Sequence, residues 1–193
     1  MDSKKLKDAE DFYSKHIKGG ILIELEKTLP LKTHFLTTLC SLIYTEVIGA
    51  FLPPHKKEIG SFKSKRFYRC LFRLKSGEYL KNIDKGLKKD TGKNIYEHLR
   101  HSMSHIFLPS VRKKENGKIS FLPIIIARDG FFNPSEKRTS PIYIDSRGLT
   151  IAYKNYFLEL KEAVELFYKK TFIDNDEEYQ NSAIRGVDYI LQR

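Results

Sequence analysis

Half of the six histidines in the chain lie within eight consecutive residues, at His98, His101 and His105. An arginine and two serines stand among them, at Arg100, Ser102 and Ser104. Histidine changes its protonation state near neutral pH and is also the commonest metal ligand in proteins. The segment therefore holds the residue types for proton transfer or for metal binding. The positions of these side chains on a helix distinguish between the two chemistries.

A metal site built from the three histidines requires their imidazoles to converge on one ion. On a helix, His98, His101 and His105 fall within about 60° of one another, at 100° per residue. His98 and His105 are nevertheless about 10 Å apart along the axis, whereas zinc binds a histidine nitrogen at about 2 Å. The metal site stays open as the weaker alternative, and the preferred interpretation includes no metal and no cofactor.

The other chemistry is acid–base cleavage of a phosphodiester. Cleavage of RNA requires a base near neutrality for the 2′-hydroxyl proton and a fixed cation for the charge on phosphorus. Histidine supplies the base, and arginine supplies a bidentate fork for phosphate oxygens. Arg100 and His105 are the natural pair, although they lie about 140° apart on one ideal helix. The expected product is a 2′,3′-cyclic phosphate.

The run Arg100-His101-Ser-Met-Ser-His105 resembles the signature of the HEPN superfamily: an arginine, four to six residues and a histidine, often with Asn, Asp or His after the arginine. This resemblance implies a small helical bundle and a metal-independent endoribonuclease of a toxin–antitoxin, abortive-infection or CRISPR-linked system. It also implies a homodimer whose two motif helices face one cleft. Arg100 and His105 could then converge from two chains, or through a loosened helix end near Pro109.

The resemblance assigns roles to individual residues. His105 would be the general base, and Arg100 would hold the scissile phosphate. Four further residues would assist at the phosphate or shape the site: His101, Ser102, Ser104 and Tyr96. Phe107 stands where one toxin subgroup carries a tyrosine for nucleotidylation, so that form of regulation is not expected.

Two alternatives to catalysis remain open. Some members of the superfamily have lost the nuclease activity and serve as RNA-binding, protein-binding or dimerisation modules, with an antitoxin or another protein as partner. In a purely structural interpretation, Arg100 pairs with Glu97, and His105 lies near a helix C-terminus, where a positive charge is favourable. Ser102 and Ser104 would then be small residues that permit close helix packing.

The charge of the chain favours a polyanionic partner. The formal net charge is +11, and residues 55–100 alone hold 14 Lys/Arg and five Asp/Glu, a net of +9. Such an excess attracts RNA, DNA or an anionic membrane. Within it, Arg66, Arg69 and Arg73 alternate with aromatic residues, as in a nucleic-acid-binding surface. The competing interpretation places the aromatic side chains in the core and the cations on a solvated face.

Apolar periodicity predicts a mainly α fold in one domain, residues 1–193. A helical bundle is expected over 6–108 and 153–192, and Ser61 would cap its third helix. An inserted small antiparallel β-meander is expected over 111–152, with turns at Asn116-Gly117 and at Ser146-Arg147-Gly148. Gly19-Gly20 would break the first helix, and Asp90-Thr91 would cap the motif helix, whose apolar stripe is Ile95, Leu99, Met103 and Ile106. A central helix ending at Pro53-Pro54 would direct one apolar face to the core: Phe35, Leu39, Ile43, Val47 and Phe51.

Several classes of protein are disfavoured by the sequence. Cys40 and Cys70 form no CxxC pair or cysteine framework, which suits a reducing compartment. The chain has no P-loop, GxGxxG, HExxH or GxSxG motif. The longest apolar stretch, residues 29–52, is interrupted by charged and polar residues and is interpreted as a core helix. With no targeting segment recognised, the expected location is the cytoplasm, without membrane association.

Overall fold

The fold was obtained as a computed structural model, which describes residues 3–31, 33–55, 61–99, 113–115, 118–133 and 138–191. Most of these residues are helical. The helices are α1 (Ser3–Phe12), a π-helical segment (Tyr13–Leu22), α2 (Ile23–Thr28), α3 (His34–Phe51), α4 (Phe62–Leu71), α5 (Gly77–Thr91), α6 (described over residues 95–99), α7 (Tyr153–Tyr168), a second π-helical segment (Lys169–Ile173) and α8 (Glu177–Ile190). The prediction of a mainly helical fold is confirmed.

The first three helical segments follow one another without a break. The residues that join them, Phe12, Leu22 and Ile23, keep right-handed helical backbone angles. Gly19 and Gly20 lie inside the π-helical segment, so the predicted break at these glycines is wrong. The backbone N–H and C=O groups of glycine can form helical hydrogen bonds like those of any other residue. The lower helix propensity of glycine was overridden here by packing.

The centre of the fold is α3, which packs most extensively on α4 and also contacts α7 and α8. It ends at Phe51, and the extended backbone of Leu52 leads into Pro53-Pro54 as predicted. By length and composition α3 could cross a membrane, but half of it is buried within the fold. The core helix of a soluble protein meets the same criteria of length and composition.

The predicted apolar face of α3 is only partly buried: Phe51 lies in the core, and Phe35, Leu39 and Val47 are half-buried. Ile43 is 52% exposed, whereas Thr38, Ser41 and Thr45 are buried. The three hydroxyls donate to carbonyl oxygens one turn earlier, at 2.7–2.8 Å. Because this bonding satisfies the hydroxyls and their side chains are small, neighbouring helices can approach closely on the polar side.

The β region contains a mixed sheet and two hairpins. The strands are β1 (Lys113–Glu115), β2 (Lys118–Phe121), β3 (Ile124–Ala127), β4 (Phe131–Asn133), β5 (Arg138–Ser140), β6 (Ile142–Asp145) and β7 (Gly148–Ala152). The strand pairings on either side of both predicted turns are confirmed, since Glu115 pairs with Lys118 and Asp145 pairs with Gly148.

The expected antiparallel meander over residues 111–152 is wrong in one respect. β7 lies between β3 and β6 and pairs in parallel with β3. Residues 128–147, which include β4, β5 and β6, make the long connection that parallel strands require. Every residue of β7 is buried, as is common for a central strand with a parallel neighbour.

Candidate functional site

The helix that leads into the predicted catalytic motif is α6, and a reciprocal capping box fixes its first turn. The amide of Glu97 donates to Asn94 Oδ1, and the amide of Asn94 donates to Glu97 Oε2, both at 2.9 Å. Asn94 is therefore the cap, and the predicted cap at Asp90-Thr91 is wrong. Asp90 and Thr91 form the last turn of α5 instead, which Gly92 ends in the left-handed conformation (φ 75°).

A second polar group holds α6 from the side of α4 and α5. Asp84 Oδ1 accepts hydrogen bonds from the Tyr68 hydroxyl at 2.7 Å and from the Ile95 amide at 2.8 Å. The Tyr68 oxygen in turn accepts from the Tyr96 amide at 3.2 Å. Burial, together with the charge of Asp84, raises the pKa of Tyr68 above its ordinary value, so the phenol stays neutral and can donate.

His98 belongs to this structural network rather than to an open face of α6. Its side chain is fully buried, with Nε2 at 2.9 Å from Thr91 Oγ1 and Nδ1 accepting from the Leu122 amide at 3.5 Å. The imidazole thus connects α6 to the end of α5 and to the chain before β3. Among the residues that the structure describes, no group of three His, Cys, Asp or Glu side chains is placed to hold a metal ion.

The motif itself lies outside the described residues, which stop at Leu99 and resume at Lys113. This applies to the predicted residues Arg100, His101, Ser102, Ser104 and His105. Tyr96 is described: it is half-buried, and its ring centroid lies 5.4 Å from that of Phe67. Ile95 and Leu99 are buried, which confirms the described part of the predicted apolar stripe.

The predicted binding residues Arg66 and Arg69 meet in a cavity of about 280 Å³ between α3, α4 and α8. The described residues that line it are Ala50, Leu52, Pro54, Arg66, Arg69, Ser182, Arg185 and Tyr189. Three of the eight are arginines and none is acidic. We call this space the arginine cavity.

Arg66 is the most informative residue of the arginine cavity because its side chain is only 7% exposed. Its guanidinium carbon lies 3.5 Å from the centroid of the Tyr189 ring, a cation–π contact. The prediction that the α4 cations form a solvated face is therefore wrong for this residue. A buried charge requires compensating contacts, and the ring supplies one of them.

Two glycines allow the helices around the cavity to approach closely. A Cβ atom at Gly49 of α3 would lie 1.8 Å from the carbonyl oxygen of Arg66. At Gly186 of α8 it would lie 2.7 Å from Phe51 Cδ1. No other residue type can occupy Gly49 without moving α4, so this glycine sets how closely α3 and α4 approach beside the cavity.

Arg73, the third predicted binding arginine, has a different place. Its guanidinium donates to the carbonyl oxygens of Pro53 at 2.8 Å and Arg69 at 3.0 Å, and lies 3.3 Å from His55 Nε2. It does not line the arginine cavity. Arg73 thus joins the end of α4 to Pro53 and His55, in the chain that leaves α3. Pro54, which lies between those two residues, lines the arginine cavity.

The sequence interpretation did not include the α8 side of the cavity. Ser182, Arg185 and Tyr189 lie on one helix face, and Arg185 donates to Ser182 Oγ at 3.1 Å. Their spacing of three and four residues would have shown that they share a face. Only the packing of α8 against α3 could show that this face meets α4.

Comparison with known proteins adds no relative: no protein-family model, curated protein or solved structure matches the chain.

Proposed function

We propose that the protein is a cytoplasmic RNA-binding protein with HEPN-like, metal-independent endoribonuclease activity. The observation that carries the RNA-binding part is the arginine cavity, where Arg66, Arg69 and Arg185 gather on a chain of net charge +11. Arginine binds phosphate oxygens through a planar fork of donors, and a concave basic surface concentrates anions.

The catalytic part of the proposal rests on the motif. His105 would take the 2′-hydroxyl proton, and Arg100 would hold the scissile phosphate as negative charge develops on it. The contacts of Asn94, Asp84 and His98 support this role indirectly, because they fix the described part of α6, which directly precedes the motif in the chain. As in the family that the motif resembles, the active form would be a homodimer, with an antitoxin or another protein as regulator.

A purified protein incubated with labelled single-stranded RNA in EDTA tests this activity. We expect cleavage to 2′,3′-cyclic phosphate ends, and a loss of about 100-fold or more in His105→Ala and Arg100→Ala, since general acid–base groups contribute about 10²–10⁴-fold. His16→Ala and Arg147→Ala, at exposed positions in the first π-helical segment and the β6–β7 turn, are the matched controls.

Cleavage that persists unchanged in both motif variants would contradict the catalytic assignment. The rate should rise with pH through about 6.5, the ordinary pKa of histidine, because the base must be neutral to accept a proton. Light scattering of the same samples measures whether the active species is a dimer.

The second candidate is an RNA-binding or dimerisation module without catalysis. It is favoured by the location of the arginine cavity, because the described residues that line it belong to α3, α4, α8 and the chain after α3. Salt-dependent RNA binding without any cyclic-phosphate product would select this candidate over the nuclease.

A further inference from the structure

The shape of the arginine cavity indicates more than a general affinity for polyanions. A surface that tracks a nucleic-acid backbone is an extended groove with basic residues spaced along it. Here three guanidinium-bearing residues from two helices surround one space of about 280 Å³, at the lower limit for a small-molecule site. The ligand that fits is compact and strongly charged.

The donors favour a phosphate monoester over a diester. A monoester carries a charge of about −1.5 to −2 at neutral pH and three strongly accepting oxygens, whereas a diester carries one charge. Each guanidinium has five N–H donors, so an arginine that already has contacts within the fold can still donate to those oxygens, and charge-assisted bonds of this kind are about twice as strong as neutral ones. The Ser182 hydroxyl, which accepts from Arg185, lies in the same wall.

The burial of Arg66 makes the cavity a built site rather than a chance cluster on the surface. Its side chain is held beneath the Tyr189 ring, and the backbone behind it is fixed against Gly49. Arg185, by contrast, is exposed at the mouth, with Nε bound to the Asn181 carbonyl oxygen at 3.2 Å. One cation thus lies at the base of the cavity, and another lies at its rim.

We propose that the arginine cavity binds a terminal phosphate monoester, carried by an RNA end or by a free nucleotide. The inference rests on the proposed function in one respect, namely that the phosphate belongs to a nucleotide. The cavity would therefore fix the orientation of a bound RNA, because only an end with a phosphate monoester enters it. RNA bound in this way is selected by its terminus before any internal phosphodiester is cleaved.

Short 2′-O-methyl RNA tests this inference, since it lacks the 2′-hydroxyl and cannot be cleaved to a cyclic phosphate. Binding is measured for three forms of one sequence: a 5′-phosphate, a 3′-phosphate and two hydroxyl ends. At equal salt the internal phosphates contribute equally, so differences report on the terminus. We expect one phosphorylated form to bind about tenfold more tightly than the hydroxyl form, as one or two charge-assisted bonds predict.

Two variants connect this preference to the cavity. Arg185→Gln, at the exposed rim, should remove most of the tenfold preference while leaving the fold intact. Arg66→Lys keeps the buried charge but loses the fork, and should reduce the preference as well. Arg128→Gln, at an exposed position after β3, removes the same charge from another surface and should leave the preference unchanged.

Adenosine monophosphate and adenosine, compared by calorimetry, distinguish a free nucleotide from an RNA end. Binding of the monophosphate alone supports a nucleotide site, and binding of phosphorylated RNA alone supports an end site. Equal affinity for all three RNA forms, with no binding of the monophosphate, would overturn the inference. Because the probe RNA cannot be cleaved, that result would leave the proposed nuclease untouched, and a failure to cleave ordinary RNA would leave the inference untouched.

Discussion

The two sides of α4 use polar residues in opposite ways. On one side, Tyr68 faces α5 and α6, and its hydroxyl is bound by Asp84 and the Tyr96 amide. On the other side, Arg66 and Arg69 face an open cavity together with Arg185 of α8. Polar groups that complement each other within the fold stabilise it. The cavity instead brings three arginines to one open space, and a concave basic surface of this kind attracts anions.

This difference separates a structural site from a binding site. The structural side contains a donor for each acceptor: Asn94 with Glu97, Asp84 with Tyr68, and His98 with Thr91. The binding side gathers three arginines at one cavity, with no acidic side chain among the described residues that line it. We therefore expect substitutions on the first side to change the free energy of unfolding, and those on the second to change affinity for phosphate.

The largest expected effect comes from Gly49→Ala, which should change both the free energy of unfolding and the affinity for phosphate. The new methyl group would overlap the Arg66 carbonyl oxygen, so α4 must move away from α3. We expect a loss of about 3 kcal/mol in the free energy of unfolding, at the upper end for overpacking, measured by urea denaturation. The preference for phosphorylated RNA should fall in the same variant.

Gly86→Ala is the matched control for this substitution. Nothing lies within 4 Å of a Cβ atom at Gly86, in the middle of α5. Alanine is the better helix former, so this variant should gain about 0.5–1 kcal/mol and keep its binding. A destabilisation as large as that of Gly49→Ala would contradict the steric explanation.

The second prediction concerns the structural side alone. Asp84→Ala removes the acceptor of the Tyr68 hydroxyl and the Ile95 amide, and we expect it to lower the free energy of unfolding by about 2–3 kcal/mol. Asp90→Ala, exposed on the same helix, should change it by less than about 0.5 kcal/mol. Terminal-phosphate binding by folded Asp84→Ala should equal that of the wild type, and a loss of binding there would show that the two sides are coupled.

The smallest effect is a pH dependence at Tyr68. Its pKa is raised in the folded protein above the ordinary value of 10.0, chiefly by burial. The folded state therefore retains this proton when the unfolded state loses it. The stabilisation is complete below about pH 10 and is lost as the pH rises, by about 1.4 kcal/mol per pH unit.

Tyr68→Phe removes this titration and isolates its contribution. At neutral pH the variant should be less stable by about 1 kcal/mol, since it lacks the hydroxyl that binds Asp84. Above pH 10 the difference between variant and wild type should shrink and then reverse. A constant difference from pH 8 to 11, measured by urea denaturation, would contradict the assigned direction of the shift.

Local patterns predicted the elements that depend on nearby residues. Asn116-Gly117 correctly indicated the β1–β2 hairpin, and Ser61 caps α4 through its Oγ, which accepts from the Ser64 amide at 3.4 Å. Pro53-Pro54 ends α3 as expected. Each of these features works within a few residues, because turns and caps are set by local backbone angles and local hydrogen bonds.

The errors arose where a local pattern allowed two outcomes. The apolar stripe of α3 predicted the buried face, but Thr38, Ser41 and Thr45 are buried where Ile43 is exposed, because these three hydroxyls bond within their own helix. Asp90-Thr91 has the composition of a cap, yet α5 extends through both residues and Asn94 takes that role. Periodicity identifies a helix but does not choose its partners.

The sequence by itself determined that the chain is mainly helical and strongly basic and that it carries the Arg100–His105 motif. Tertiary structure alone decided that β3 and β7 run in parallel and that α8 places Arg185 opposite Arg66 and Arg69. The physical reason is distance along the chain. α4 and α8 are separated by more than a hundred residues, and only close packing through Gly49 and Gly186 brings their arginines around one cavity.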